Sequence, residues 1–415
     1  MKCLACEGAL EIDVAIIGDQ FPSAIYLEGV TEEEFGLERS SLNLSQCKNS
    51  MCGLVQLTKP INLDIVYKHY PYQSGTTATM HSILTSVVDE AFSYITLNPG
   101  DVILDIGGND GTLLSLIDHP DCKLVNIDAA SNIQQVSHSK NYTYINAKFS
   151  KGAYHQLDFP SPKIIFNVAV FYQLSNPLQF LKDVVEIMND DSLFVLQMTY
   201  LESMYSNSIF DNIVHEHITY FSLKSFTHIA ELAGLRVLGA RVVDSYGGSL
   251  RVFLVRSTSK KSISRLETIT REVTDNETEN KTNDVSTLSK FSDDFEIWKT
   301  ILCKKLNAQV EKNGLIIGLG ASTKGNMILQ SLGINQEIMP FILDNNPKKI
   351  GSRTTGSFIP IVSENEITTL EGNIMSLPYY YDEFFKKMVH SKIERGKFVD
   401  FISPLPVPKI TRISR

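Results

Sequence analysis

Short apolar runs alternate with amphipathic stretches along most of the chain, and two of these runs lead directly into glycine-rich turns. Val102-Ile-Leu-Asp-Ile106 has the length and content of a buried strand. It enters the turn Gly107-Gly-Asn-Asp-Gly-Thr112, and Leu113-Leu-Ser-Leu-Ile117 then reads as a helix. Lys123-Leu-Val-Asn-Ile127 is a second strand ending on Asp128, and Lys163-Ile-Ile-Phe-Asn-Val168 a third, with Asn167 near its end. Phe194–Gln197 and Arg251–Val255 read as later strands. Strand, glycine turn and helix open a doubly wound sheet, whose ligands lie beyond the carboxyl ends of the strands.

The pattern recurs at Leu315-Ile-Ile-Gly-Leu-Gly320, followed by Ala-Ser-Thr-Lys-Gly-Asn326 and the strand Phe341-Ile-Leu-Asp344. It predicts a second, smaller Rossmann-like unit. Between the two, residues 257–293 are rich in Ser, Thr, Asn, Lys and Glu, as in a solvated helix or a flexible linker, and Ile301–Leu306 is again helical. The predicted class is α/β. The expected division is an N-terminal metal-binding domain at 1–70, a Rossmann-like domain at 71–257, a linker at 258–300 and a second Rossmann-like domain at 301–415.

Composition narrows the function. A chain of 415 residues exceeds what one core usually supports, and 43% hydrophobic with 20% charged residues is an ordinary globular balance. A net charge of −9 disfavours a nucleic-acid partner, which needs a basic face. No apolar run reaches the roughly 18 residues of a membrane span. The start, MKCLACEGAL, is soon interrupted by Glu11 and Asp13, unlike a signal peptide. A cytoplasmic protein with no membrane partner is expected. Without coiled coil or repeat, a monomer is expected.

Six cysteines in such a compartment suit metal binding or burial better than disulfides. Cys3 and Cys6 form a C-x2-C pair, and Cys47 and Cys52 a C-x4-C pair. Two short loops of this kind turn four thiolates toward one structural Zn2+, which leaves no open position for catalysis. A nucleic-acid-binding zinc ribbon is the alternative, and Glu32, Glu33, Glu34 and Glu38 between the pairs disfavour it. Cys122 and Cys303 read as core residues.

In the first glycine turn, Gly107, Gly108, Asn109, Asp110 and Gly111 lie between Asp105 and Asp128. A dinucleotide pyrophosphate would be repelled by these carboxylates, whereas S-adenosylmethionine carries a positive sulfur and an amino group that suit them. Asp128 is placed for ribose hydroxyls, and Asn167 for the same crevice. His215-Glu216-His217 lacks the spacing of a zinc protease and offers either an acid–base group or a polar helix start. Gly247-Gly248-Ser249-Leu-Arg251 is either a backbone approach to a ligand or an ordinary hairpin turn. Ser322, Thr323 and Lys324 at a helix start offer a phosphate or sugar contact, or a purely structural turn.

Read in order, these motifs resemble the sugar C-methyltransferase family, which includes the C-3 methyltransferases of branched deoxysugars. The matching stretches are Cys3-x2-Cys6, CGLVQL at 52–57, YPYQSG at 70–75, DIGGNDGT at 105–112 and EHITYFS at 216–222. They continue with GGSLR at 247–251, GLGASTKGN at 318–326, LDNNPKKIG at 343–351 and LPYYYDEF at 377–384. The resemblance implies S-adenosylmethionine and zinc as cofactors. It also implies a nucleoside-diphosphate 4-keto-6-deoxysugar bound between the last two domains and methylated at C3 through an enolate. His217 matches the base, with Glu216 beside it, and Tyr72 a tyrosine that handles the enolate oxygen. Tyr246, Gly247, Gly248, Ser322, Thr323, Lys324 and Asn326 are the expected substrate contacts. The chain departs from its relatives at Val214, where they carry tyrosine, at Gln173, where they carry histidine, and at Tyr246, where histidine is familiar. These departures leave a sugar O-methyltransferase, or a binding protein without turnover, as alternatives.

Overall fold

The computed structural model describes residues 1–68, 73–130, 133 and 142–415. Its largest sheet has seven strands, in the spatial order Leu235–Val243, Ser249–Arg256, Leu193–Thr199, Ile164–Val168, Val102–Ile106, Lys123–Asp128, Tyr142–Asn146. Five strands are parallel, and the Leu235–Val243/Ser249–Arg256 hairpin is added antiparallel at one edge. The parallel strands are buried on both faces, which explains why Val102–Ile106 and Ile164–Val168 read as continuous apolar runs. Chain order reverses between these two strands, so their carboxyl ends open a crevice.

The second sheet has six strands, ordered Ile361–Ser363, Ile342–Asp344, Ile316–Leu319, Gly372–Ser376, Phe398–Ser403, Lys409–Ser414. All but the last pair in parallel. The reversal here falls between Ile316–Leu319 and Gly372–Ser376.

The polar stretch between the units is helical. Ser264–Glu279 is one helix, and Val285–Asn313 is another of 29 residues. The second buries Leu288, Phe291, Phe295, Trp298, Leu302 and Leu306, three or four apart and therefore on one face. Trp298 donates its indole N–H to the Pro404 carbonyl at 2.8 Å. The same core takes in Leu201, Phe210, Ile213 and Val214. The long helix thus clamps the 201–214 segment of the first unit onto the second.

The N-terminal segment is not self-contained. Its four-stranded sheet runs Leu10–Ala15, Leu44–Cys47, Val55–Leu57 and then Thr219–Tyr220, contributed from the first Rossmann-like unit. Thr219 pairs with Gln56 and Tyr220 with Val55. Tyr26–Leu27 pairs with Arg353–Thr354 of the second unit. A two-residue strand has no periodicity to announce it, so neither joint is visible in the hydropathy pattern. Among the described residues no helix is long and apolar enough to cross a membrane.

Candidate active site

The four N-terminal cysteines converge, their sulfurs all within 4.8 Å of one another. Cys3 Sγ lies 3.7 Å from Cys52 Sγ, and Cys6 Sγ 3.6 Å from Cys47 Sγ. Tetrahedral zinc with Zn–S bonds of roughly 2.3 Å separates its sulfurs by about 3.8 Å. Without a cation the thiols conflict: a hydrogen bond from Cys52 lowers Cys3 to about 5, while burial pushes Cys47 up to about 12. A divalent ion relieves that conflict, so the residues fit zinc.

At the sheet reversal, Gly107 adopts φ +73°, and a Cβ there would meet Val170 Cγ2 at 2.6 Å. Glycine is therefore required both by conformation and by close approach. A Cβ on Gly108 would lie 2.5 Å from Asp105 Oδ2 and from Asn126 Oδ1, which leaves only backbone between the turn and the strand ends. Gly111 caps the short helix Thr112–Ser115.

Three carboxylates gather around this turn, each with a different job. Asp110 Oδ1 accepts from Thr112 N and Oγ1 at 3.2 and 2.6 Å, and its Oδ2 accepts from Gly75 N at 2.9 Å. Asn109 Oδ1 accepts from Ser74 N at 3.0 Å, so the turn anchors the segment just after residue 72. Asp128 accepts from Asn109 N at 2.8 Å and Ala130 N at 2.7 Å, while each oxygen keeps a second lone pair. Asp105 is buried, and burial together with Asp128 and Asp110 raises its pKa to about 8. Asn167 bridges the reversal by donating to the Ile106 carbonyl at 2.9 Å, and its buried Oδ1 has no partner among the described residues. Unpaired acceptors and crowded carboxylates at one crevice suit a ligand with a positive sulfur, an amino group and hydroxyls. Asp105, Asp110, Asp128 and Asn167 are the groups that would hold S-adenosylmethionine.

His215, Glu216 and His217 do not start a helix. They lie in a buried turn, at 0%, 4% and 8% exposure, leading into the Thr219–Tyr220 strand. His215 donates from Nε2 to the Ser40 carbonyl at 3.1 Å. His217 donates from Nδ1 to the Asn212 carbonyl at 2.7 Å, which fixes the tautomer and leaves Nε2 with a lone pair. Among the described residues nothing hydrogen-bonds that nitrogen. Burial, and to a lesser degree the nearby Lys324 ammonium, lower its pKa to about 3, so it rests neutral. Its ring stands edge-on to Tyr172 at 4.4 Å, on the turn that follows Ile164–Val168. Because Val170 of the same turn touches Gly107, the histidine borders the cofactor crevice. Burial raises Glu216 to about 7, and its buried Oε2 has no partner among the described residues. Gln173 receives the Tyr67 hydroxyl at 2.8 Å.

The second unit supplies the opposite wall. Lys324 donates to Tyr380 Oη at 3.3 Å and stands over the rings of Tyr380 and Tyr246 at 4.7 and 5.7 Å. Asp211 Oδ1 accepts from Tyr379 and Tyr380 at 3.3 and 3.4 Å, and its buried Oδ2 has no partner among the described residues. Gly247, at φ +88°, admits Ile209 and Tyr380 where a Cβ would clash at 2.5 and 3.2 Å. Gly248 makes the same close approach to Ser203, and both glycines lie in the turn of the edge hairpin.

Of the expected substrate contacts, Lys324, Tyr246 and Gly247 meet at this junction. Thr323 is half-buried as the first residue of the helix Thr323–Leu332. Ser322 is occupied in capping that helix, accepting from Gly325 N at 2.9 Å. Asn326 is fully engaged elsewhere, with its amide on the Ser23 carbonyl and Thr355 and its oxygen on Ser357. Tyr72 lies outside the described residues. Sequence reading missed Asp211, Tyr379 and Tyr380. The tyrosines stood in a quoted motif, but their partner, 168 residues away, had no signal of its own.

Comparison with known proteins accords with this geometry. The methyltransferase domain family matches residues 78–239, and the C-methyltransferase C-terminal domain family residues 244–406. C-methyltransferase NovU of Streptomyces niveus is 26% identical over 416 residues, covering 99% of this chain and 96% of its own. Among solved structures, the complex of the Haloferax volcanii Trm112 methyltransferase activator with a putative methyltransferase aligns at 16% identity and TM-score 0.36, over 43% of this chain and 92% of that one. CalO1, a methyltransferase in calicheamicin biosynthesis with SAH bound, aligns at 11% identity and TM-score 0.33, over 43% of this chain and 55% of its own. Two adjoining family matches meet where the edge hairpin turns, and a C-methyltransferase aligns from end to end; the chain is similar to C-methyltransferases along its whole length and is an S-adenosylmethionine-dependent methyltransferase.

Proposed function

We propose that the enzyme methylates C3 of a nucleoside-diphosphate 4-keto-6-deoxysugar, with His217 as the base. The observation that carries this reading is the state of His217: neutral, held through Nδ1 by Asn212, with an Nε2 that no described residue hydrogen-bonds. A carbon–hydrogen bond is far too weak an acid unless a neighbouring carbonyl accepts the charge as an enolate. A base in this position therefore calls for a ketone. His217 Nε2 takes the C3 proton and holds it as imidazolium, while the C–H electron pair moves into the enolate. When bound, S-adenosylmethionine supplies the electrophilic methyl group that the enolate carbon takes.

A sugar also suits the chemistry of the segment before the base. Asp211 Oδ2, Asn212 Oδ1 and Glu216 Oε2 are buried acceptors without partners among the described residues. Hydroxyl donors of a carbohydrate would satisfy them, and leaving such groups unmet is costly. The nucleotide linkage rests on the family resemblance. The cysteine cluster is proposed to hold one structural zinc ion that fastens the N-terminal sheet.

The test is incubation with S-adenosylmethionine and a panel of nucleotide 4-keto-6-deoxysugars in heavy water, followed by mass spectrometry. The expected product is heavier by one methyl group. Deuterium uptake beside the ketone without methylation would retain the base but replace the acceptor. Neither signal on any panel member would sink the reading.

A further inference from the structure

We propose that Lys324 is a catalytic residue: its ammonium takes up the negative charge that develops on the substrate's carbonyl oxygen as His217 removes the neighbouring proton. The inference rests on the functional reading above and adds to it the group that stabilises the enolate.

The placement of Lys324 is costly without an anion. It is the second residue of the ten-residue helix Thr323–Leu332, at the end where the helix dipole is already positive. Burial among the two units disfavours its charge, and among the described residues no carboxylate reaches ion-pair distance. What holds it is one phenol oxygen at 3.3 Å and two aromatic faces. These contacts fix the ammonium in place without neutralising it. Asp211 gives long-range support and is itself held by Tyr379 and Tyr380, its other oxygen buried without a partner among the described residues.

The relation to the base then matters. Lys324 bonds Tyr380, Tyr380 bonds Asp211, and the next residue, Asn212, holds His217, so the ammonium and the base belong to one connected cluster. In the resting site burial keeps the base neutral, and repulsion from the Lys324 ammonium adds to that. Once an enolate forms between them, both charges face an anion and both are favoured. The pair is therefore complementary to the charge distribution of the transition state rather than to the neutral ketone. No additional reactant is needed: the proton passes to His217, its bonding pair enters the enolate, and Lys324 keeps all its protons.

A diphosphate is the competing occupant for this lysine. At the helix start around it the Gly325 N–H is already spent on the Ser322 hydroxyl, which leaves one donor fewer for a phosphate. A permanent double negative charge would also lie near the buried Asp211 carboxyl. A carbonyl that becomes anionic only in passing needs one cation and meets less of that repulsion.

The test compares the native enzyme with Lys324→Met and Lys324→Arg, using the panel sugar that the native enzyme methylates. Deuterium exchange beside the ketone and methyl transfer are measured together with UDP and dTDP binding by calorimetry. The expected result for Lys324→Met is a loss of exchange and methylation of roughly 10²–10³-fold, the size seen for removing one oxyanion donor. Nucleotide affinity should stay within about threefold, and Lys324→Arg should recover part of the exchange. If Lys324→Met does not fold, Tyr380→Phe is used, with an expected fall in exchange of about three- to tenfold at unchanged nucleotide affinity. Exchange at the native rate in Lys324→Met, or in Tyr380→Phe where that replaces it, would overturn the proposal. A loss confined to nucleotide binding would overturn it too and return the lysine to the diphosphate. A native enzyme that neither exchanges nor methylates any panel member would instead overturn the functional reading, and this inference with it.

Discussion

The two Rossmann-like units share the order of their five parallel strands and a glycine turn after the first strand, and each ends its second strand on an aspartate, yet among the described residues the two aspartates are engaged differently. Asp128 accepts two backbone N–H groups and retains lone pairs beside the acidic turn. Asp344 accepts from Ala321 N at 2.8 Å and Asn346 N at 2.7 Å, and pairs with Lys349 at 3.7 Å. Lys349 also donates to the Ala321 carbonyl at 2.7 Å, which the Tyr26 hydroxyl of the N-terminal segment reaches as well. Pro378 closes in on the turn, so that a Cβ on Gly320 would lie 2.7 Å from it. The second crevice is thus filled by its own chain. Its unit presents Lys324, Tyr379 and Tyr380 to the first. Similar folds acquire different roles through the few side chains at the strand ends.

Loosening the N-terminal fastening should disturb both units and gives the largest expected effect. Cys3→Ala with Cys6→Ala should remove about one zinc per chain and cost several kcal/mol, as structural zinc sites usually supply folding energy. Metal analysis beside a urea titration checks this; retained zinc would show that these thiols are not its ligands.

Breaking the first crevice at the base comes next. His217→Ala should lower methyl transfer by roughly 10²–10⁴-fold, the range for a general base, with S-adenosylmethionine affinity near native. Unchanged turnover would remove His217 from that role.

The two aspartates sharpen the comparison directly. Asp128→Ala should weaken S-adenosylmethionine binding by roughly 10- to 100-fold, since it removes charge-assisted hydrogen bonds. Asp344→Asn should leave that affinity alone but destabilise the fold by about 2 kcal/mol, because Lys349 loses its partner. Calorimetry and thermal melting on both variants separate these outcomes, and equal effects on cofactor binding would erase the contrast.

The smallest effect concerns His215, which ties the first unit to Ser40. Burial lowers its pKa to about 4, so the unfolded chain takes up the proton first, and stability falls as pH drops from about 6.5 toward 4. His215→Gln should remove about 1.4 kcal/mol per pH unit of that loss. Urea midpoints at pH 7 and 5 measure it; an unchanged difference would mean that His215 titrates normally.

Much of this was legible in the sequence. Buried parallel strands print themselves as apolar runs, and the turn at 107–112 needs glycines whose purpose is local, so both sheets and the first crevice could be read. The cysteine spacing brought four sulfurs together as expected. The long helix was harder: its first third is polar, and its apolar stripe emerges only when Leu288 to Leu306 are taken as one face. Joints made by side chains from distant segments were not legible. Thr219–Tyr220 completing the N-terminal sheet, and Asp211 meeting two tyrosines, depend on the packing of whole units. For Ser322 and Asn326 the residue type suggested a ligand contact, but their own hydrogen bonds are spent on a helix cap and an interdomain joint.

The most direct test of the central claim offers the enzyme a matched pair: a nucleotide 4-keto-6-deoxysugar and the same compound with its ketone reduced to a hydroxyl. The account predicts methylation of the keto sugar alone, with the new methyl bonded to carbon beside the carbonyl in the product's carbon NMR spectrum. Equal methylation of the reduced sugar, with the methyl on oxygen, would contradict it.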